Sequence, residues 1–143
     1  MLVFSEYQTD TIDLALDFYG YEDCPKNYEF GPSVRDNFVL HFITKGKGVF
    51  HFNKKEIHLE AGDLFLLPKN KVTYYKANEE EPWSYYWIGI SGTKVSDFMR
   101  FSTLHEKGFL KKTEVETEKI GQFMEQLVHK AEASKMTSHY QLH

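Results

Sequence analysis

The sequence holds a single cysteine, Cys24, among 143 residues. An intramolecular disulfide is therefore excluded, and a cytoplasmic chain is the natural expectation. A basic surplus is also missing: Lys and Arg number 17 against 21 Asp and Glu, a formal net charge of −4. Surfaces that grip DNA or RNA are normally basic, so this chain is not expected to hold nucleic acid by itself. No stretch approaches the roughly 18–20 apolar residues of a membrane span, so no membrane partner is expected. The opening Met1-Leu2-Val3-Phe4-Ser5-Glu6 lacks the basic region and apolar core of a secretory signal. The sequence also lacks repeats, low-complexity tracts and an internal linker. Its length fits about one domain, and 41% apolar residues with modest charge argue against disorder.

Aromatic residues are plentiful, with 2 Trp, 9 Tyr and 12 Phe. Such residues line cores and small-molecule pockets. From about Asn27 to Ile90 the chain reads as short strands between turn signals. Residues 38–44 are rich in β-branched and aromatic side chains, and Lys45-Gly46-Lys47-Gly48 makes a turn. Val49 to Phe52 follows, then a reversal at Asn53-Lys54-Lys55 and an alternating strand from Glu56 to Glu60. Ala61-Gly62-Asp63 breaks it. Leu64 to Leu67 is wholly apolar, residues 72–75 form another strand, and Trp83 to Ile90 is the longest. Strands at this spacing predict a β-sandwich or barrel, mainly β.

After Gly92 the period changes. Val95, Phe98 and Met99 fit one face of a short helix. Ile120, Phe123, Met124, Leu127, Val128 and Ala131 follow the i, i+3, i+4, i+7 rule of an amphipathic helix over about 114–131. Thr113 with Glu116 has the spacing of a capping box for that helix. Ile12, Leu14, Leu16 and Phe18 alternate, as an early strand or arm would. The tail from Ser138 to His143 carries no stop signal and reads as the start of a further segment.

Among the 7 histidines, His41, His51 and His58 fall in the strand region. A metal centre needs three or four converging ligands. No His-x-His pair occurs, and Lys69-Asn70-Lys71-Val72-Thr73 supplies no ligand after Pro68, so no metal and no cofactor are expected. His41 stands mid-strand between Leu40 and Phe42, either a satisfied core histidine or a ligand contact. Cys24 lacks the positive surroundings of a reactive thiol, no Gly-x-Ser-x-Gly elbow exists, and Gly46-Lys47-Gly48 is too short for a phosphate loop. No catalytic set emerges, and the chain is not expected to be an enzyme.

The strongest constellation is aromatic. In residues 83–90, period-2 geometry places Trp83, Tyr85, Trp87 and Gly89 on one face and Tyr86, Ile88 and Ile90 on the other. Trp and Tyr rings with N–H and O–H handles suit a sugar, whose C–H faces stack while its hydroxyls bond. Tyr74-Tyr75 could extend that wall. Ordinary core packing is the plain alternative.

Residues 35–48, 59–68 and 83–92, in that order and spacing, resemble the N-terminal effector-binding domain of AraC-family transcription regulators, and most of all regulators of multiple-sugar and raffinose-type metabolism in Gram-positive bacteria. The resemblance covers about Tyr19 to Gly92 and, more loosely, the helices. It implies a cupin-like double-stranded β-barrel, or jelly roll, over residues 1–92 that binds a small effector, usually a sugar. It implies a helical dimerisation region over 93–143, hence a homodimer, and DNA binding only through a helix-turn-helix domain absent from this chain. Carried over, the ligand-binding positions are Tyr75, Tyr85 and Trp87. Tyr85 stands where the arabinose-responsive member has a histidine, and Gly31 stands where that member has an arginine. Arg35 is the candidate substitute, with His41 on the same parity. In this reading a sugar stacks on Trp87, bonds Tyr75, Tyr85, Arg35 and His41, and signals through the N-terminal arm or the long helix. A small metal-dependent cupin enzyme (isomerase or dioxygenase) and a plain interaction module are the alternatives.

Overall fold

The computed structural model describes residues 2–3, 15–100 and 102–141. Of the expected early strand or arm, Ile12 and Leu14 lie outside the described residues. Among the described residues ten strands run β1 (Leu2–Val3), β2 (Ala15–Asp23), β3 (Glu29–Ser33), β4 (Phe38–Lys45), β5 (Lys47–Phe52), β6 (Lys55–Glu60), β7 (Leu64–Leu67), β8 (Thr73–Ala77), β9 (Ser84–Ser91) and β10 (Phe109–Leu110). Helices α1 (Thr93–Arg100) and α2 (Thr103–Lys107) separate β9 from β10, and α3 (Thr117–Gln141) follows. The paired strands are antiparallel and form two sheets, ordered β1-β2-β9-β4-β7-β10 and β3-β8-β5-β6.

The hydropathy of each strand follows from what covers it. The four-stranded sheet buries one face. Phe50, Phe52, Ile57, Leu59, Tyr75 and Ala77 point inward, while Glu56, His58 and Lys76 alternate with them on the outside. The six-stranded sheet is covered on both faces. Val39, Ile43, Phe65, Leu67 and Tyr85 join the core between the sheets, whereas Phe38, Leu40, Leu64, Leu66 and Ile88 face the helices. That double cover is why residues 64–67 read as an unbroken apolar run.

Local chemistry sets the reversals. Asn53 and Lys54 both adopt positive φ, at 52° and 64°, between Phe52 and its partner Lys55, the conformation of a two-residue hairpin whose twist suits the strands. A register shift between Leu16 and Phe18 turns Leu16 toward the helices and Phe18 toward the inter-sheet core. Simple alternation through this segment therefore misplaces one of the two.

The helical layer packs on the outer face of the long sheet through Val95, Met99, Met124, Val128 and Ala131, all buried. Ile120 and Leu127 are half-buried against the same cluster, and Phe123 is 61% exposed. The expected helical face thus splits, most of it seated on its own sheet and Phe123 left outside. α3 starts at Thr117, so Thr113 and Glu116 precede it and form no capping box; Glu116 pairs with Lys119 instead. Buried Asp63 ties the layers together, accepting the backbone N–H of Glu60 at 2.9 Å and of Lys112 at 3.0 Å, while the Thr117 hydroxyl donates to the Gly62 carbonyl. Among the described residues no helix is long and apolar enough to cross a membrane.

Candidate functional site

Three strands of the long sheet bring the aromatic set together. In β9, Tyr85 and Trp87 face the inter-sheet space and Tyr86 and Ile88 face the helices, as the sequence parity predicts. β4 pairs His41 with Trp87 and Ile43 with Tyr85, so His41 enters the same space. On the other side, β2 pairs Gly20 with Trp87 and Glu22 with Tyr85. A Cβ on Gly20 would stand 2.3 Å from Trp87 Cζ2, so only glycine leaves room for the indole. Tyr75 arrives from β8 across the gap.

A cavity of about 160 Å³ opens between the sheets at this point. Arg35, His41, Tyr75, Tyr85 and Trp87 all line it. The remaining wall comes from Glu22, Tyr28, Phe30, Val39 and Leu67. Trp83 does not line it; this residue is fully buried in the core, stacked on Phe65 with centroids 5.2 Å apart. Tyr74 also points elsewhere, donating its hydroxyl to Glu29 at 2.6 Å on the outer face. The expected extension of the wall therefore comes from Tyr75 alone.

His41 is 2% exposed and stacks on Phe65 at 4.2 Å, with Tyr75 and Tyr85 edge-on at 5.4 and 4.9 Å. Burial drives its pKa down to about 3, with the Arg35 charge acting in the same direction, so the imidazole is neutral at physiological pH. Its Nδ1 and the Trp87 Nε1 are both buried without a hydrogen-bond partner. The Trp83 Nε1 in the solid core is left the same way, so the polar groups that distinguish the cavity wall are the Tyr75 and Tyr85 hydroxyls, the Arg35 guanidinium and the Glu22 carboxylate. The Tyr85 hydroxyl donates to that of Tyr75 at 3.5 Å, a long contact that leaves both with bonding capacity to spare. Burial pushes both phenol pKa values up, so both stay protonated donors.

Arg35 precedes β4 and lies over two rings, its guanidinium carbon 4.9 Å from the Phe30 centroid and 5.7 Å from that of Phe18. Sequence reasoning missed Glu22, Tyr28 and Phe30. The signal for Glu22 was the alternation of Phe18, Gly20 and Glu22 along β2, hidden by the register shift just before it. Elsewhere, His51 and His58 lie on the outer sheet, 3.7 and 3.5 Å from the Glu56 carboxylate. Among the described residues no three His, Cys, Asp or Glu side chains group as a metal site would require.

The site can stack one flat face against an indole, offer neutral donors and acceptors, and present a guanidinium at one edge. The chain is 45% identical over 105 residues to the Msm operon regulatory protein of Streptococcus mutans, covering 73% of this chain and 38% of that protein. It is 40% identical over 100 residues to the raffinose operon transcriptional regulatory protein RafR of Pediococcus pentosaceus, covering 68% and 36%. The chain thus spans under two fifths of the length of these curated relatives. Among solved structures, the cupin domain of Schizosaccharomyces pombe Cnp3 is similar with a TM-score of 0.49 and 16% identity, over 64% of this chain and 65% of that one. With the AraC-like ligand binding domain matched over residues 15–142, the chain belongs to that family.

Proposed function

We propose that this chain is the effector-sensing part of a sugar-operon transcription regulator, and that its effector presents a neutral saccharide ring. The single observation that carries this reading is one cavity lined together by the Trp87 indole, the Tyr75 and Tyr85 phenols and Arg35. A stacking surface and polar side chains at one point suit a guest with apolar faces and a polar rim. The volume of about 160 Å³ is close to that of a cavity known to admit a single six-membered ring. A larger saccharide would place one terminal ring inside and the rest at the mouth. Two relatives are named as regulators of the raffinose and lactose operons, which supports a carbohydrate effector.

In this reading Trp87 stacks on the ring, Tyr75 donates its hydroxyl hydrogen, Tyr85, whose hydrogen goes to Tyr75, accepts, and His41 bonds as a neutral imidazole. Arg35 donates to ring or hydroxyl oxygens. The chain senses and does not catalyse. Its output passes to a DNA-binding segment of a longer cytoplasmic protein, and the helical region forms the homodimer seam. Binding acts only through a difference in affinity between two arrangements of the domain.

A thermal-shift panel of galactose, glucose, melibiose and raffinose tests this. A sugar at 100 times its Kd stabilises the folded state by about 2.7 kcal/mol and raises Tm. Trp87→Ala should keep the fold and lose the shift. The reading is overturned if no sugar moves Tm, or if Trp87→Ala still responds.

A further inference from the structure

The cavity wall holds two residues of opposite charge type, Arg35, already a candidate from the sequence, and Glu22, which the sequence reading did not assign. Glu22 stands in β2 directly opposite Tyr85, on the face that carries Phe18 and Gly20 toward the inter-sheet space. Arg35 is held at a different edge by the Phe18 and Phe30 rings. The two charges act on different parts of the wall. Glu22 adds to the upward push on the Tyr28 and Cys24 pKa values, after burial, whereas Arg35 acts on His41 and Tyr75. Of the residues that line the cavity, Glu22 thus acts on Tyr28, and Arg35 on His41 and Tyr75.

We infer that Glu22 is a specificity-determining ligand contact whose carboxylate accepts hydroxyl hydrogens from the bound ring and bars anionic sugars from the cavity. This rests on the saccharide reading above. A carboxylate can only accept, so it matches a hydroxyl and repels a phosphate or a second carboxylate. A pocket holding Arg35 alone would favour a sugar phosphate or a uronic acid, because guanidinium pairs with such anions in bidentate fashion. With Glu22 present the two charges cancel, and an uncharged polyol that donates at one end and accepts at the other is the matching guest.

The test is calorimetric titration of the wild type and Glu22→Gln with two matched pairs, galactose with galacturonate and glucose with glucuronate. The wild type should bind a neutral hexose at least about tenfold more tightly than its uronate partner. Glu22→Gln, nearly isosteric, should weaken the neutral hexose about tenfold and bring the uronate to equal or greater affinity. An unchanged Tm for the ligand-free variant shows that its fold is intact, and Glu22→Asp, which keeps the charge, should still reject the uronate. Equal binding of neutral hexose by wild type and Glu22→Gln, with no gain for the uronate, overturns the role of Glu22 and leaves the saccharide reading standing. Absence of binding by either neutral hexose, together with no response to melibiose or raffinose, overturns both.

Discussion

Trp87 occupies the space where a side chain on Gly20, its directly opposed partner in β2, would stand. The glycine sets how deep the indole lies and hence where its N–H points. Gly20→Ala would force the ring aside at a cost of about 1–3 kcal/mol, the usual penalty of overpacking. It should also shift the tryptophan fluorescence and weaken the sugar-dependent rise in Tm. Calorimetric melting with and without sugar checks both, and an unaltered sugar response would show that indole depth is unimportant.

His41 makes folding sensitive to acid. The unfolded imidazole takes up a proton near its ordinary pKa of 6.5, whereas the folded one resists until about 3. Protonation therefore favours the unfolded chain, and stability falls as pH drops through this window. The loss is about 1.4 kcal/mol per pH unit below 6.5. Urea unfolding at pH 7.0 and 5.5 should show this loss in the wild type and not in His41→Gln. Parallel behaviour of the two proteins would contradict the buried neutral state.

Cys24 is 6% exposed, and burial pushes its thiol pKa up to about 11. At pH 8 the folded protein should react with a disulfide reagent far more slowly than the same protein in guanidinium, where the thiol is free to ionise. A kinetic trace at 412 nm in both solvents, on the order of minutes to hours as conditions require, makes the comparison. Fast labelling of the folded chain would mean that this end of the barrel opens readily.

Phe123 and Met124 are neighbours with opposite fates, 61% and 0% exposed. Met124→Ala should cost about 2–5 kcal/mol by opening a void under α3. Phe123→Glu should leave the stability of an isolated chain within about 0.5 kcal/mol. If the helical region forms the homodimer seam, Phe123→Glu should shift sedimentation toward the monomer at equal concentration. An unchanged association would place the seam elsewhere.

Asp63 accepts two backbone N–H groups from segments far apart in sequence. Asp63→Ala leaves both donors without that partner and should cost about 2–3 kcal/mol, read as a lower urea midpoint. A smaller change would mean that water replaces the carboxylate at little cost.

Much of this was legible beforehand because the strands obey a period of two. The parity of residues 83–90 put Tyr85 and Trp87 on one face, and that face does look into the cavity. The run at 64–67 and the reversal at Asn53-Lys54 followed from composition alone. Trp83 shares the parity yet ends in solid core, because position along a strand decides whether an inward residue meets space or a neighbour, and one strand cannot report its neighbours. The short β3, α2 and β10 carry too few residues to show a period. Glu22 escaped notice because a shifted register upstream broke the alternation on which its facing depended. The apparent capping box misled because a turn at 112–114 uses the same polar residue types as a helix start.

The long sheet is a party wall between two compartments, with guest space on one side and the helical layer on the other. Any attempt to remodel the guest space from β4 or β9 disturbs backbone that also seats α3. Among the described residues the opposite wall has no such tenant: Tyr75 comes from β8, whose outer neighbours, Tyr74 and Lys76, face no helix. Tyr75, Tyr28 and Phe30 are therefore the positions where the cavity can be refitted while the face that seats α3 stays as it was.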